Sequence, residues 1–277
     1  MLYFKFVFQN KRKMKSITKT AVRTEGNTAS TVKKSKWKRW LSFLFYPTGV
    51  VRIWRSKTGL WIKLMYSILV LPVFLLITVY MSLVLFAAFL PELDRTVGNR
   101  TDKTIINREG NYSATFVKTG KETNNAFELV QVELEPNGGN DWHYHTSFLE
   151  EFTVIDGKIR IGKNGEEIML GKGQSTAAEK NDMHYFKNAL NKKSVLLVKV
   201  TPAAGLEKTL RVAYGLINDG LLKNDMTENP WHMCLLLGYS ESYLKGMPGW
   251  FQEPLITALA KIAQWKGEDK ELQKYYM

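Results

Sequence analysis

Three of the four histidines in this chain stand in two short runs, DWHYHTSFLEEFTVIDG and MHYFKN. Their spacing is that of a metal-ligating set. His143 and His145 are two residues apart, so on a β-strand, where side chains alternate faces, both imidazoles turn the same way. Glu150 follows on an apolar run, and Asp156-Gly157 reads as a hairpin turn that sets the carboxylate on the neighbouring strand. His184 arrives from a third strand-like run. Three imidazoles and one carboxylate converging inside a small barrel suit a first-row divalent ion. Glu151 is the competing carboxylate, and strand alternation turns it outward.

The elements that must position these groups are short, partly alternating runs: 113–118, 127–134, 149–155, 158–161, 167–170, 175–178 and 194–200. Between them stand PNGGND, DG, KNGE, GKG, EKND and LNKK, each a turn by composition. Many short strands joined by tight turns indicate an all-β sandwich or barrel.

Gly138-Gly139 followed by His143-x-His145-x4-Glu150-x6-Gly157 resembles the first motif of the cupin superfamily, and Gly171 through His184-x3-Asn188 resembles the second. The resemblance covers about residues 112–202 and implies the cupin double-stranded β-helix, a jelly-roll barrel. It implies that His143, His145, Glu150 and His184 are metal ligands, with Fe, Mn, Ni and Zn all compatible with that donor set. It also implies pairing of barrels into a homodimer. The chain departs from the family where Pro-x-Gly usually precedes the last histidine: here stand Glu179-Lys180-Asn181. Asn tolerates the left-handed conformation that the absent Gly would supply.

Around the ion, Trp142, Phe152, Met183 and Phe186 are expected to line a pocket. Tyr144 and Tyr185 read as barrel packing, and His232 as a packed polar residue. There is no Ser-His-Asp set and no Gly-rich phosphate cradle, so any chemistry is metal-centred, on a small oxygen-chelating molecule. A non-enzymatic ligand-binding or sensing module is the alternative. Residues 203–277 read as a helical extension. Leu206, Leu210, Ala213, Tyr214 and Ile217 share one helical face with a stop at Gly220, and Leu255, Ile256, Leu259, Ile262 and Trp265 form a second stripe. The first helix is expected to cross the barrel's outer face or close one end. The second packs on the barrel or touches a membrane surface.

The chain carries 39 basic and 26 acidic residues, but the excess is local. Up to Lys63 there are 16 Lys or Arg against one acid, Glu25, and beyond it 23 against 25. Residues 1–35 read as a disordered basic arm. No recognition helix, zinc pattern or aromatic RNA platform accompanies the basic run, and nucleic acid is not expected as a partner. Residues 36–63 interleave Trp37, Trp40, Trp54 and Trp61 with Lys and Arg, as suits the headgroup level of a bilayer, and Pro47 and Gly49 are expected to break that segment. Residues 64–91 are free of charge and long enough to span with tilt. Basic residues before the span and Pro-Glu-Leu-Asp after it predict a single-pass anchor with a cytoplasmic N-terminus and the barrel on the far side. Residues 92–111 then form a polar connector. Cys234, the lone cysteine, has no partner for an intramolecular disulfide.

Overall fold

Along Glu128–Leu134, ELVQVEL, every second side chain is buried, and Ser194–Thr201 repeats the pattern. Strict alternation of this kind makes one face of a strand a core face. The computed structural model describes residues 46–224 and 226–277. The expected arm over 1–35, and 36–45 of the Trp-rich segment, lie outside the described residues.

The chain divides into two units, Met1–Met81 and Ser82–Met277. The first holds α1 (Tyr46–Trp54) and most of α2 (Leu60–Ala87), whose residues from Ser82 on belong to the second. Pro47 does not interrupt α1; it lies in the first turn, where a missing N–H costs no helical bond. The indole Nε1 of Trp54 donates to Ser67 Oγ at 3.2 Å, and Lys63 Nζ donates to the Trp54 carbonyl at 3.1 Å, so α1 folds back on the start of α2. α2 begins at Leu60, taking Trp61 and Lys63 from the segment expected to lie in the interface, and ends at Ala87, ahead of Pro91. Pro72 is accommodated within it. With a mean hydropathy of 2.7 over its most apolar window and no residue of that window buried, α2 is long and apolar enough to cross a membrane.

The second unit holds a two-sheet barrel. Its strands are β1 (Thr104–Asn107), β2 (Tyr112–Lys118), β3 (Glu128–Leu134), β4 (His143–His145), β5 (Leu149–Asp156), β6 (Lys158–Lys163), β7 (Glu166–Gly171), β8 (Ser175–Ala178), β9 (His184–Asn188) and β10 (Ser194–Thr201). After α3 (Leu206–Asn218) come a two-residue pair, β11 (Leu222–Lys223) and β12 (Met226–Thr227), then α4 (Pro230–Tyr239), β13 (Ser242–Leu244), α5 (Gly249–Lys266) and α6 (Gln273–Tyr276). One sheet has the order β1-β2-β3-β10-β5-β8 and the other β13-β4-β9-β6-β7. Phe116, Leu134, Phe152, Val154, Ile159 and Leu196 fill the space between the sheets. The chain is not purely all-β, because α3 to α6 build a second apolar cluster around Val212, Leu216, Leu235 and Tyr239. α4 starts where the sequence provides a cap: Asn229 accepts from Trp231 N–H and Pro230 occupies the first turn.

Two expectations need correction. Asp156-Gly157 does not close a hairpin within one sheet; β5 and β6 belong to opposite sheets, and the turn carries the chain across the barrel. The extension is not only helical, since β13 adds an edge strand beside β4. Glu241, at φ 47°, ends the helical run that begins at Pro230 and turns the chain into the strand.

Gly157 has φ 84°, and a Cβ there would collide with Ser194 Oγ. Gly157→Ala is therefore expected to destabilise the barrel by about 2 kcal/mol. Denaturant unfolding followed by tryptophan emission, compared with Gly165→Ala at an equally left-handed but open position, separates the collision from backbone strain.

Candidate metal centre

His143 and His145 point to the same side of β4, and His184 lies beside them because β4 pairs with β9 in the register His143↔His184. Glu150 comes from β5 in the facing sheet, not from the strand next door. The carboxylate thus meets the imidazoles across the barrel. The donor atoms of all four residues lie within 4.8 Å of one another, a group that could hold a metal ion. His184 Nε2 is 3.0 Å from Glu150 Oε2, and His145 Nε2 is 3.9 Å from Glu150 Oε1.

Each histidine is held through its other nitrogen. His143 Nδ1 lies 2.7 Å from the Asp141 carbonyl and His184 Nδ1 2.8 Å from the Asp182 carbonyl, so both Nδ1 atoms carry the proton. This leaves Nε2 of His143 with a free lone pair, whereas Nε2 of His184 donates to Glu150 and would give up that proton to an ion. His145 Nδ1 is 3.0 Å from Ser242 Oγ on β13, and Ser240 Oγ lies 2.5 Å from that hydroxyl. His145 Nε2 is buried and has no hydrogen-bond partner. A buried ring nitrogen left unpaired is costly unless something else occupies its lone pair, and a metal ion would do so. The residues present therefore fit a divalent ion.

Asn181, in place of the glycine of the family motif, does adopt the left-handed conformation at φ 69°, and its N–H donates to the His145 carbonyl at 2.8 Å. Asn188 is structural: its Nδ2 donates to the carbonyls of Leu134, Glu135 and Lys192, while Oδ1 accepts from Ser194 Oγ and Leu190 N–H. Glu151 turns away from the site and pairs with Lys199 at 3.0 Å.

Burial sets the proton affinities of the group. It drives His143 down to about 4, with the neighbouring His184 adding to the effect and Glu150 opposing it. It drives His145 down to about 3 against the pull of Glu150. For Glu150, burial acts to raise the carboxyl, but the hydrogen bond from His184 and the charge of the imidazoles outweigh it and hold the group at about 2. For His184, burial acts to lower the ring, and Glu150 outweighs it, so its proton affinity is raised.

Three of the four, His143, His145 and Glu150, border a cavity of about 750 Å³, with α3 and α4 on its far wall. The apolar face of α3 thus closes one end of the barrel, and Leu206, Leu210, Ala213, Tyr214 and Ile217 all reach the cavity. Of the expected lining residues, Trp142 and Phe186 border it. Phe152 is instead core, packed on His184 with ring centroids 5.9 Å apart, and Met183 is not part of the wall. Tyr144 is tied to Glu253 at 3.0 Å and Tyr185 to Glu167, so neither hydroxyl serves the cavity. Sequence reasoning missed Tyr112. Its hydroxyl accepts from Tyr214 at 2.7 Å on the cavity wall, and only the fold brings these residues together. Ser242 was missed for the same reason. His232 is buried beside Asn229 and Glu271, away from this group.

Residues 130–200 match the Cupin domain. The match supports the cupin superfamily for this segment, which runs from β3 to β10. No curated protein matches the chain. Among solved structures, a predicted oxalate decarboxylase from Thermotoga maritima is 17% identical, with 39% of this chain and 98% of that one covered and a TM-score of 0.34. KdgF from a Halomonas species is 18% identical, over 38% and 91%, with a TM-score of 0.33. The polyketide cyclase RemF from Streptomyces resistomycificus is 23% identical, over 38% and 78%, with a TM-score of 0.33.

The proton affinities of this cupin-like centre predict an acid-sensitive metal-free state. As pH falls below 6.5, the unfolded chain protonates His143 and His145, which the folded site refuses until about 4 and about 3, so stability is lost over that window. His184 acts oppositely, adding stability below 6.5 that is lost as pH rises through its raised value. Glu150 keeps its contribution until pH falls from 4.5 towards about 2. Two rings outweigh one, and the Tm of chelator-treated protein should fall between pH 7 and pH 4.5, with a shallower slope in His145→Gln. Thermal scans by near-UV circular dichroism check this; a Tm independent of pH across that window contradicts it.

Proposed function

We propose that the barrel binds one first-row divalent metal ion through Nε2 of His143, His145 and His184 and the carboxylate of Glu150, and uses it on a small oxygen-chelating molecule. The observation that carries this reading is the buried, unpartnered Nε2 of His145 facing Glu150, with Nδ1 of all three rings already engaged. Fe, Mn, Ni and Zn all suit the donor set. When bound, such an ion supplies a Lewis acid with positions left for a chelating ligand. The chain's own residues engage Nδ1 of each imidazole, keep the carboxylate ionised among them, and line one side of the cavity with apolar side chains. We further propose that α2 anchors the chain in a membrane, with its basic N-terminal segment on the cytoplasmic side and the barrel on the other. Pairing of barrels into a homodimer is carried by the family resemblance alone.

Elemental analysis of full-length protein purified without chelator should find about one transition-metal ion per chain, and His145→Ala should lose it. Ser242→Ala, which frees His145 to rotate, is expected to weaken metal affinity by roughly tenfold without abolishing it. Protein with wild-type metal content in both variants would contradict the assignment. A panel of 2-oxoacids, hydroxy acids and diols then separates the roles: turnover abolished by His143→Ala marks an enzyme, and saturable binding without turnover marks a ligand-binding or sensing module.

A further inference from the structure

We infer that the cavity's ligand is an amphiphile, with an oxygen-donor head such as a carboxylate or 2-hydroxycarboxylate at the His/Glu cluster and a hydrocarbon or aromatic body beneath α3 and α4. For the head this rests on the metal reading above; the body is argued from the wall. Val132 and Val198 from the barrel face Leu210, Ala213 and Ile217 of α3 and Leu236 of α4 across the same space. Leu210, Ala213 and Ile217 pack against the barrel core yet remain only partly buried. Their exposed surface therefore lies in a cavity of about 750 Å³, within the size range of sites that enclose a whole organic ligand. A two-carbon acid at the cluster would leave that wall wetted, while an apolar body would take it out of water.

Charge argues the same way. Among the described residues lining the cavity, the one Lys or Arg is Lys187, at the exposed rim and 3.6 Å from Asp141. A phosphorylated or polyanionic body would find no cation inside. The wall's hydrogen-bonding groups are uncharged near α3: the Tyr112 and Tyr214 hydroxyls, paired with each other, Asn107, and the Thr209 hydroxyl, which has no partner. An oxygen-donor head and an uncharged, mainly apolar body, with room for one hydroxyl beside Thr209, match this distribution. Membrane tethering, proposed above, would hold the domain near the phase in which such molecules concentrate.

The test is calorimetric titration of zinc-loaded full-length protein in lipid nanodiscs with straight-chain 2-hydroxy acids from two to eight carbons. Heats from empty nanodiscs are subtracted, and detergent, itself an amphiphile, is excluded. Affinity should rise about threefold to fourfold for each added methylene. Ala213→Phe, which fills the space, should lower the affinity for the longest acid at least tenfold; the chain-length series on the wild-type protein stands whether or not that variant folds. Equal affinity from two to eight carbons, or no binding to the metal-loaded protein, overturns the inference. A chain-length dependence that survives metal removal unchanged supports the apolar cavity and overturns the metal reading instead.

Discussion

Glu150 is a carboxylate with 5% of its surface exposed, placed across the barrel from three imidazoles. An ionised carboxylate so buried is tolerated only if neighbouring groups compensate its lost hydration. Here His184 donates to it and shares the charge, while His143 and His145 stay neutral because burial disfavours their protonation. The arrangement is only half satisfied, because one ring nitrogen of His145 has nothing to bond. A divalent ion would complete it, giving the carboxylate a cation and each imidazole lone pair an acceptor. The barrel's two sheets are what hold this balance, since β4 and β9 bring the rings and β5 the acid from opposite sides.

The C-terminal segment belongs to the same device. β13 hydrogen-bonds along β4 and places Ser242 on His145, so the orientation of a candidate ligand depends on residues nearly a hundred positions away in sequence. Thr146 and Arg95 both bind Glu241 at the turn into β13, which fixes the strand's entry. α3 and α4 then roof the cavity on which the cluster opens. The helices thus shape what can reach the centre, and the barrel supplies the donors.

How much of this the sequence discloses follows from the range of each interaction. Alternation along 128–134 and 194–201 and the turns at Gly157 and Asn181 are local, and they are readable as strands and left-handed positions before any fold is known. The cluster of His143, His145, Glu150 and His184 is legible from spacing, since period-two geometry and the motif coincide. Which strand neighbours which is not: the dipeptide Asp156-Gly157 has the composition of a hairpin turn whether the chain returns in the same sheet or crosses to the other. β13, three residues long, takes its strand geometry from pairing with β4, nearly a hundred positions away. Tyr112 and Ser242 acquire their partners only through tertiary pairing, which no local pattern records.

The central claim is that four protein donors, three of them Nε2 nitrogens, meet at one ion. X-ray absorption at the metal edge of the loaded full-length protein addresses it directly. The expected result is a first shell of nitrogen and oxygen donors at about 2.0–2.2 Å, with outer-shell scattering from three imidazoles that drops to two in His184→Ala. A shell containing sulfur, or imidazole scattering unchanged by that substitution, would contradict it.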